Sequence, residues 1–338
     1  MHSCFRRGIH GEVHGHGSSQ PLGQNRSGAR HIEALDDSVK GWLSGDTYTI
    51  RKQVKDQGTT TRTAYRVHIT DPLPVEWSAH IGDAAHNLRS GLDHLAFALN
   101  SKGYADPNQG AILPPADAKR SEFPIFGDED TAGNPGKGPT LFRKALRKVA
   151  HVPNGARAVI EEIQPYQRGK DFRADPLWLI YELDRIDKHR ELVLTAAAIP
   201  DIQISELDFE EVSEAAIGQV GSVQNGDELA YWVVPKSKEP DEDMTFTRGV
   251  AFGEGTPAQG KPPVETLRGL RDYVRIKVAS PLSKFLYLAA HLDRPLLAVP
   301  RLGASTETDQ TEALQGVREL ERGSTALTGL HQRVPRGV

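Results

Sequence analysis

The spacing of apolar residues predicts a chain built mainly from amphipathic helices. The longest such pattern runs from Val75 to Asn100, where apolar side chains recur every three or four residues. At about 100° per residue, this spacing gathers them into one stripe that faces a core. The stripe consists of Trp77, Ile81, Ala84, Ala85, Leu88, Leu92, Leu95 and Leu99.

A second strong helix is predicted over residues 176–196. Asp175 is suited to cap its N-terminus, and Pro176 is suited to its first turn. Its predicted inward residues are Leu179, Leu183, Ile186 and Val193. Weaker helical patterns cover 31–44, 139–152, 154–166 and 264–290, and Pro281 is a candidate break in the last of them.

Alternating residues predict β-structure in two places. "TYTIRKQVKD" and "TRTAYRVHIT" read as a hairpin within 46–70, and several strands are expected in the acidic segment 200–255. The expected fold class is therefore α+β: a helical bundle core over 31–295 with a β-hairpin and a small β unit. A loop over 101–137 is long enough to act as a cover.

Composition narrows the class of protein. The 338 residues are 38% hydrophobic, which is enough for a real core, and the net charge of -4 argues against a protein that coats DNA. Cys4 is the single cysteine, so Cys-based zinc motifs are excluded. Polar composition predicts a disordered arm over 1–30 and a flexible tail over 300–338. No apolar run is long enough for a membrane span, and a cytoplasmic protein is expected.

Ionisable residues are concentrated on the two strong helices. On the first helix, one arc of roughly 60° holds four polar residues, and a neighbouring band holds three more. The arc is His80, Asp83, Asn87 and His94, and the band is His86, Arg89 and Asp93. On the second helix, Trp178, Glu182, Arg185 and His189 share one face. A polar row of this kind forms a site if another segment covers it.

Two motifs carry a resemblance to known proteins. "IGDAAHNLRSGLDHLAFAL" and "LWLIYELDRIDKHREL" resemble a widespread group of uncharacterised bacterial and phage proteins over residues 31–195. Arg89, four residues and then His94 also resemble the R-x4-6-H signature of HEPN-domain proteins. That resemblance implies a metal-independent endoribonuclease of a toxin or phage-defence system, with RNA as substrate, a homodimer and no cofactor.

The resemblance implies catalytic roles for Arg89 and His94. His94 would act as acid or base near neutral pH, and Arg89 would stabilise the charge of the phosphorane. In an unbroken helix these side chains point about 140° apart, so the site needs a bend at Ser90-Gly91 or a partner protomer. The supporting residues expected around them are Asp83, His86, Asn87, Asp93, Glu182, Asp187, Lys188, His189 and Arg190.

Two other functions remain open from the sequence. A divalent metal ion could bind imidazole and carboxylate groups from the two helices, and the candidate ligands are His80, Asp83, His94, Glu182 and His189. A non-catalytic interaction protein could instead use these residues as a buried polar network or as a solvated surface. If the two helices form a site, His94 should meet a polar side chain from residues 182–190.

Overall fold

The computed structural model describes residues 20–127, 138–189, 192–201, 212–217, 221–238, 244–287 and 330–333. The fold is α+β, with helices around a long central helix and two antiparallel sheets beside them. In the part of the chain that is described, no helix is both long enough and apolar enough to span a membrane.

The helices surround a central one of 30 residues. The α-helices are α1 (Gln20–Ser44), α2 (Glu76–Ala105), α3 (Pro115–Arg120), α4 (Gly138–Ala145), α5 (Asn154–Glu162), α6 (Pro176–Asp187), α7 (Pro263–Tyr273) and α8 (Ser280–Tyr287). Short 3-10 helices cover Leu146–Val149, Pro165–Ala174 and Lys236–Lys238. A π-helical stretch, Val274–Ala279, joins α7 to α8.

Within the described ranges, the strands form two four-stranded sheets. They are β1 (Tyr48–Asp56), β2 (Thr60–Ile69), β3 (Leu194–Asp201), β4 (Glu214–Ile217), β5 (Gly221–Val223), β6 (Glu228–Pro235), β7 (Thr245–Phe252) and β8 (Leu330–Arg333). The first sheet has the order β1-β2-β6-β4 and the second has the order β5-β3-β7-β8. The predicted hairpin is confirmed as β1 and β2, and it shares its sheet with strands of the acidic segment.

The apolar stripe predicted for α2 is confirmed, because all eight of its members are buried. Helices α1 and α6 pack against α2. Three contacts show that α2 and α6 are antiparallel: Ser78 donates to the carbonyl of Leu192, Gly82 faces Asp187, and His86 contacts Asp184. The prediction that the two motif-bearing helices pack together is therefore confirmed.

Aromatic side chains connect the sheets to each other and to the helices. The Tyr65 ring lies 5.2 Å from that of Phe246 in the opposite sheet, and the Tyr48 hydroxyl donates to the carbonyl of Ala197. The Trp42 ring at the end of α1 packs on both Tyr48 and Trp77. The sheets and the helices consequently share one hydrophobic core.

Several predicted boundaries are wrong. Helix α1 begins at Gln20, so part of the predicted arm 1–30 is helical, whereas residues 1–19 lie outside the described residues. Helix α6 ends at Asp187, and Leu194–Asp201 is a strand because it pairs with β7 along its length. Pro281 does not break the last helix, since the π-helical stretch before it continues into α8.

Two further segments also differ from the prediction. The predicted loop over 101–137 includes the last residues of α2 and all of α3, and 128–137 fall outside the described residues. The predicted tail over 300–338 is described only at Leu330–Arg333, which pairs with β7.

Candidate functional site

A histidine and a buried aspartate meet between α2 and α6. His86 Nδ1 lies 3.0 Å from Oδ1 of Asp184. The Asp184 side chain is only 7% exposed, whereas that of His86 is 57% exposed. An ionised carboxylate can only accept, so Nδ1 carries the proton and Nε2 of neutral His86 holds the free lone pair. This arrangement orients an imidazole whose side chain remains more than half exposed.

Lys188 occupies the other oxygen of the same carboxylate. Its Nζ lies 2.6 Å from Oδ2 of Asp184, one helical turn along α6. Asp184 thus holds two groups at once, an imidazole from α2 and an ammonium from its own helix. Because both side chains are more than half exposed, a ligand at the surface could reach both.

Asp187 brings a second carboxylate to this place. Its carboxylate lies so close to Gly82 that a methyl group at that position would overlap it. Burial raises the pKa of Asp187, and the charges of Asp83 and Asp184 raise it further, while His86 and Lys188 oppose these effects. We call these five residues, Asp83, His86, Asp184, Asp187 and Lys188, the α2–α6 polar seam.

Three residues of the predicted arc on α2 lie on the side of α1. Asp83 lies 3.5 Å from Nδ1 of His31 on α1, and the ring of His31 lies 6.1 Å from that of His80. Asn87 also lies on the α1 side of α2, where its Cβ is near Gly28. These members of the arc therefore face α1, whereas His86 in the neighbouring band contacts α6.

Arg89 is buried and serves a structural contact. Its Nη1 donates to the Phe123 carbonyl at 2.9 Å, and its Nη2 lies 2.8 Å from Glu122 and 3.1 Å from Asp93. Asp93 accepts from the Phe123 N–H at 2.8 Å. Burial raises the pKa of Asp93 even though the Arg89 charge opposes the shift. We call this set, Arg89, Asp93, Glu122 and Phe123, the Arg89 clasp, because it binds both backbone groups of Phe123 to α2.

The structure does not bring Arg89 and His94 together. Helix α2 continues through Ser90-Gly91, so the bend that would align them is absent. His94 is half-buried, and no hydrogen bond or ion pair joins it to the described residues of 182–189. The expected contact between His94 and the second motif is therefore not seen as a hydrogen bond or ion pair in that range, and closer proximity stays a prediction. Arg190 lies outside the described residues.

The remaining predicted residues lie in the second half of α6 or beyond its end, and the contacts described for them are local. Glu182 pairs with Arg185 at 2.7 Å, which is an ordinary i, i+3 contact. His189 is exposed after the last turn, where its N–H donates to the Ile186 carbonyl. The alternative ligand set does not converge: among the described residues, no three His, Cys, Asp or Glu side chains are arranged to hold a metal ion.

Asp184 and His31 were not among the residues predicted from the sequence. Asp184 lies between Leu183 and Arg185, and helical periodicity alone gives no reason to pair it with His86. The Asp184-x3-Lys188 spacing was an available signal, because side chains at i and i+4 meet on a helix surface. His31 was assigned to a separate weak helix, and its approach to α2 required the packing of α1.

Comparisons with known proteins do not assign a family or a function to the chain. No family model matches the sequence, and neither the curated proteins nor the solved structures give a match. Inferences about function therefore depend on the seam, the clasp and the chemistry of their residues.

Proposed function

We propose that the protein is a metal-independent endoribonuclease whose acid–base group is His86. The observation that carries this proposal is the contact between exposed His86 and buried Asp184. A carboxylate bound to one imidazole nitrogen fixes the tautomer and supports the charge that the ring acquires when it takes a proton. His86 is thus better prepared for proton transfer than His94, which has no polar partner in the described part of the second motif.

The neighbouring groups suit cleavage by the 2′-hydroxyl of RNA. His86 Nε2 would take the 2′ proton as the 2′-oxygen attacks phosphorus, and the bond from phosphorus to the 5′-oxygen would break. The Lys188 ammonium would offset the negative charge of the phosphorane. The proton on the 5′-oxygen would come from the protonated form of Asp187, which burial and the neighbouring negative charges favour. The products would be a 2′,3′-cyclic phosphate and a 5′-hydroxyl, without water or metal as reactant.

This proposal retains the reaction implied by the HEPN resemblance and changes the residues. The buried guanidinium of Arg89 already contacts two carboxylates and a carbonyl, so it has little capacity left for a phosphate. A homodimer and a role in toxin or phage-defence systems remain predictions from the resemblance. The mass of the purified protein in solution tests the homodimer. Cell growth after induced expression tests the toxin role.

RNA cleavage in chelator tests the proposal. Wild type should cleave a labelled single-stranded RNA, His86→Ala should lose cleavage, and Asp184→Asn should cleave at least tenfold more slowly. His151→Ala is the matched control, because His151 Nε2 lies 3.1 Å from Asp117 in a second His–Asp pair away from the seam. No cleavage by wild type, or full cleavage by His86→Ala, would overturn the proposal. Loss in His94→Ala alone would favour the residues named by the resemblance.

A non-catalytic interaction protein is the second candidate, and the Arg89 clasp favours it. The clasp gives the arginine and aspartate of "NLRSGLDHL" a purely structural task, namely to fix the segment around Phe123 against α2. Because this structural role accounts for both residues, no catalytic role is needed to explain the motif. Absence of cleavage in wild type, together with unfolding of Arg89→Ala, supports this second function.

A further inference from the structure

The β1–β2 hairpin places positively charged side chains directly across from each other on one of its faces. Its register places Arg51 directly across from Arg66 and Lys55 directly across from Arg62. The two pairs lie four residues apart along the strands, so all four side chains project from the same side. Like charges in direct cross-strand opposition destabilise a sheet. We call these four residues the basic face.

The opposite side of the same strands belongs to the core. Ile50, Tyr65 and Val67 are buried there, which fixes the register and directs the four cations outward. A slip of one residue would bury the charges, so their position is not an accident of a loosely held hairpin.

One carboxylate contacts two of these four cations. Glu228 on β6 contacts Arg62 at 2.7 Å through one oxygen and Arg66 at 2.6 Å through the other, and both contacts lower its pKa. Arg51 and Lys55 are exposed, and no described residue forms an ion pair with them. The outer strand therefore offers two cations about 13 Å apart with no anionic partner in the described part of the chain.

A flat stacked pair lies next to these cations. The Arg62 guanidinium lies 4.1 Å from the centre of the Tyr231 ring, and the Tyr231 hydroxyl donates to Glu214. Across the sheet, Tyr231 pairs in register with the small residue Ala64. Guanidinium and phenol planes that are held in this way can stack against a nucleic-acid base.

We propose that the basic face binds single-stranded nucleic acid, with phosphates on Arg51 and Lys55 and a base against the Arg62 and Tyr231 planes. Charge complementarity indicates an anionic partner, and the stacked pair favours a nucleic acid over an acidic protein segment. The choice of RNA rests on the proposed function, because the face would hold the substrate of the seam. Binding of the polymer itself does not depend on cleavage.

Fluorescence anisotropy with a labelled twelve-nucleotide RNA tests this inference. The His86→Ala protein is used in chelator so that the RNA stays intact. Adding Arg51→Glu and Lys55→Glu should weaken binding at least tenfold, and the corresponding Ala pair should reduce the salt slope by about 1.4. Tyr231→Ala should weaken binding severalfold through lost stacking. The charge reversals place opposite charges across the hairpin, so a thermal melt should show a fold at least as stable.

The control carries the same charge change on another exposed basic surface. Arg143→Glu with Lys144→Glu on α4 should leave RNA affinity within about twofold, since a distant exposed charge is screened at physiological salt. Equal loss in both double variants would overturn the inference. Binding of poly-glutamate as tight as that of RNA would also overturn it, by identifying an acidic protein surface as the partner. RNA binding without cleavage by the His86-containing protein would instead refute only the proposed function.

Discussion

His86 and Arg89 lie three residues apart on α2, yet their environments differ sharply. His86 is exposed above a buried carboxylate, whereas Arg89 is itself buried and only 8% exposed. Both are ionisable members of one motif, and both contact aspartate. The difference shows that a charged residue in a motif is available for chemistry only when its reactive atom faces solvent. The seam meets that condition at His86, and the Arg89 clasp does not meet it.

The largest predicted effect is on stability at the clasp. Arg89→Ala should lower the free energy of unfolding by roughly 3 kcal/mol, because it strands the Asp93 carboxylate and the Phe123 carbonyl. His86→Ala should change it by less than about 1 kcal/mol, since that side chain is mostly exposed. Urea denaturation at neutral pH measures both. Equal destabilisation by the two substitutions would remove the distinction between clasp and seam.

Glycine substitutions on α2 should separate packing at the seam from helix propensity. A methyl group at Gly82 overlaps the Asp187 carboxylate, whereas one at Gly91 meets nothing within 4 Å. Gly91→Ala should therefore stabilise the protein by about 0.5–1 kcal/mol through better helix propensity. Gly82→Ala should lose that gain and displace Asp187. If both variants gain the same stability, Asp187 does not approach α2 as closely as described.

Displacement of Asp187 in Gly82→Ala has its own readout. Once the carboxylate moves away from Gly82 and from the charges of Asp83 and Asp184, its pKa should return toward the ordinary value, which carboxyl NMR titration measures. The Gly91→Ala protein provides the matched titration and should retain the raised pKa.

The smallest predicted effect is on how stability depends on pH at two carboxylates, Asp187 in the seam and Asp117 beside His151. The pKa shifts of these two groups have opposite signs, so the effects on stability should also be opposite. Asp187 has a raised pKa, so its charged form is penalised in the fold, and Asp187→Asn should stabilise at neutral pH. That gain should shrink as the pH falls through the folded pKa toward 3.8. His151 lowers the pKa of Asp117, so Asp117→Asn should destabilise at neutral pH. That loss should shrink as the pH falls below 3.8 and through the lowered folded pKa.

Thermal melts from pH 7 to about pH 2 follow these two differences. Asp187→Asn and Asp117→Asn should differ from wild type in opposite directions at neutral pH and converge with it in acid. If stability at neutral pH changes in the same direction in both variants, the contrast between Asp187, which lies near other carboxylates, and Asp117, which is paired with His151, is wrong.

Helical periodicity predicted the main elements because burial of one stripe dominates α2. The start of α6 was also predictable, since the Asp175 side chain accepts from the Leu177 N–H as an N-cap does. Its end was not predictable. "ELVLTAAA" is compatible with a helix, but Ala196 and Ala197 are buried between strands β5 and β7. Hydrogen bonding to the neighbouring strands overrode the local helix propensity of this segment.

The candidate site was predictable as a pair of helices but not as a set of residues. The sequence identified His86 and Lys188 as supporting groups, yet the aspartate that joins them depends on how α6 is rotated against α2. The rotation is set by buried neighbours such as Leu183 and Ile186. Arg89 was predicted to be catalytic from the resemblance alone. Its burial was not predictable, because it depends on Phe123, which a distant loop supplies.

The length of α2 has a consequence for hydrogen exchange. At about 1.5 Å per residue, the helix extends roughly 45 Å and contacts α1, α6, α7 and α8. Its central amides should therefore open only when the whole core opens, and they should be among the slowest to exchange. The tip of the β1–β2 hairpin, with Val54 and Lys55 exposed, should exchange through local opening. His86 would then sit on a rigid support, while Lys55, one of the cations offered to nucleic acid, lies near the tip that opens locally.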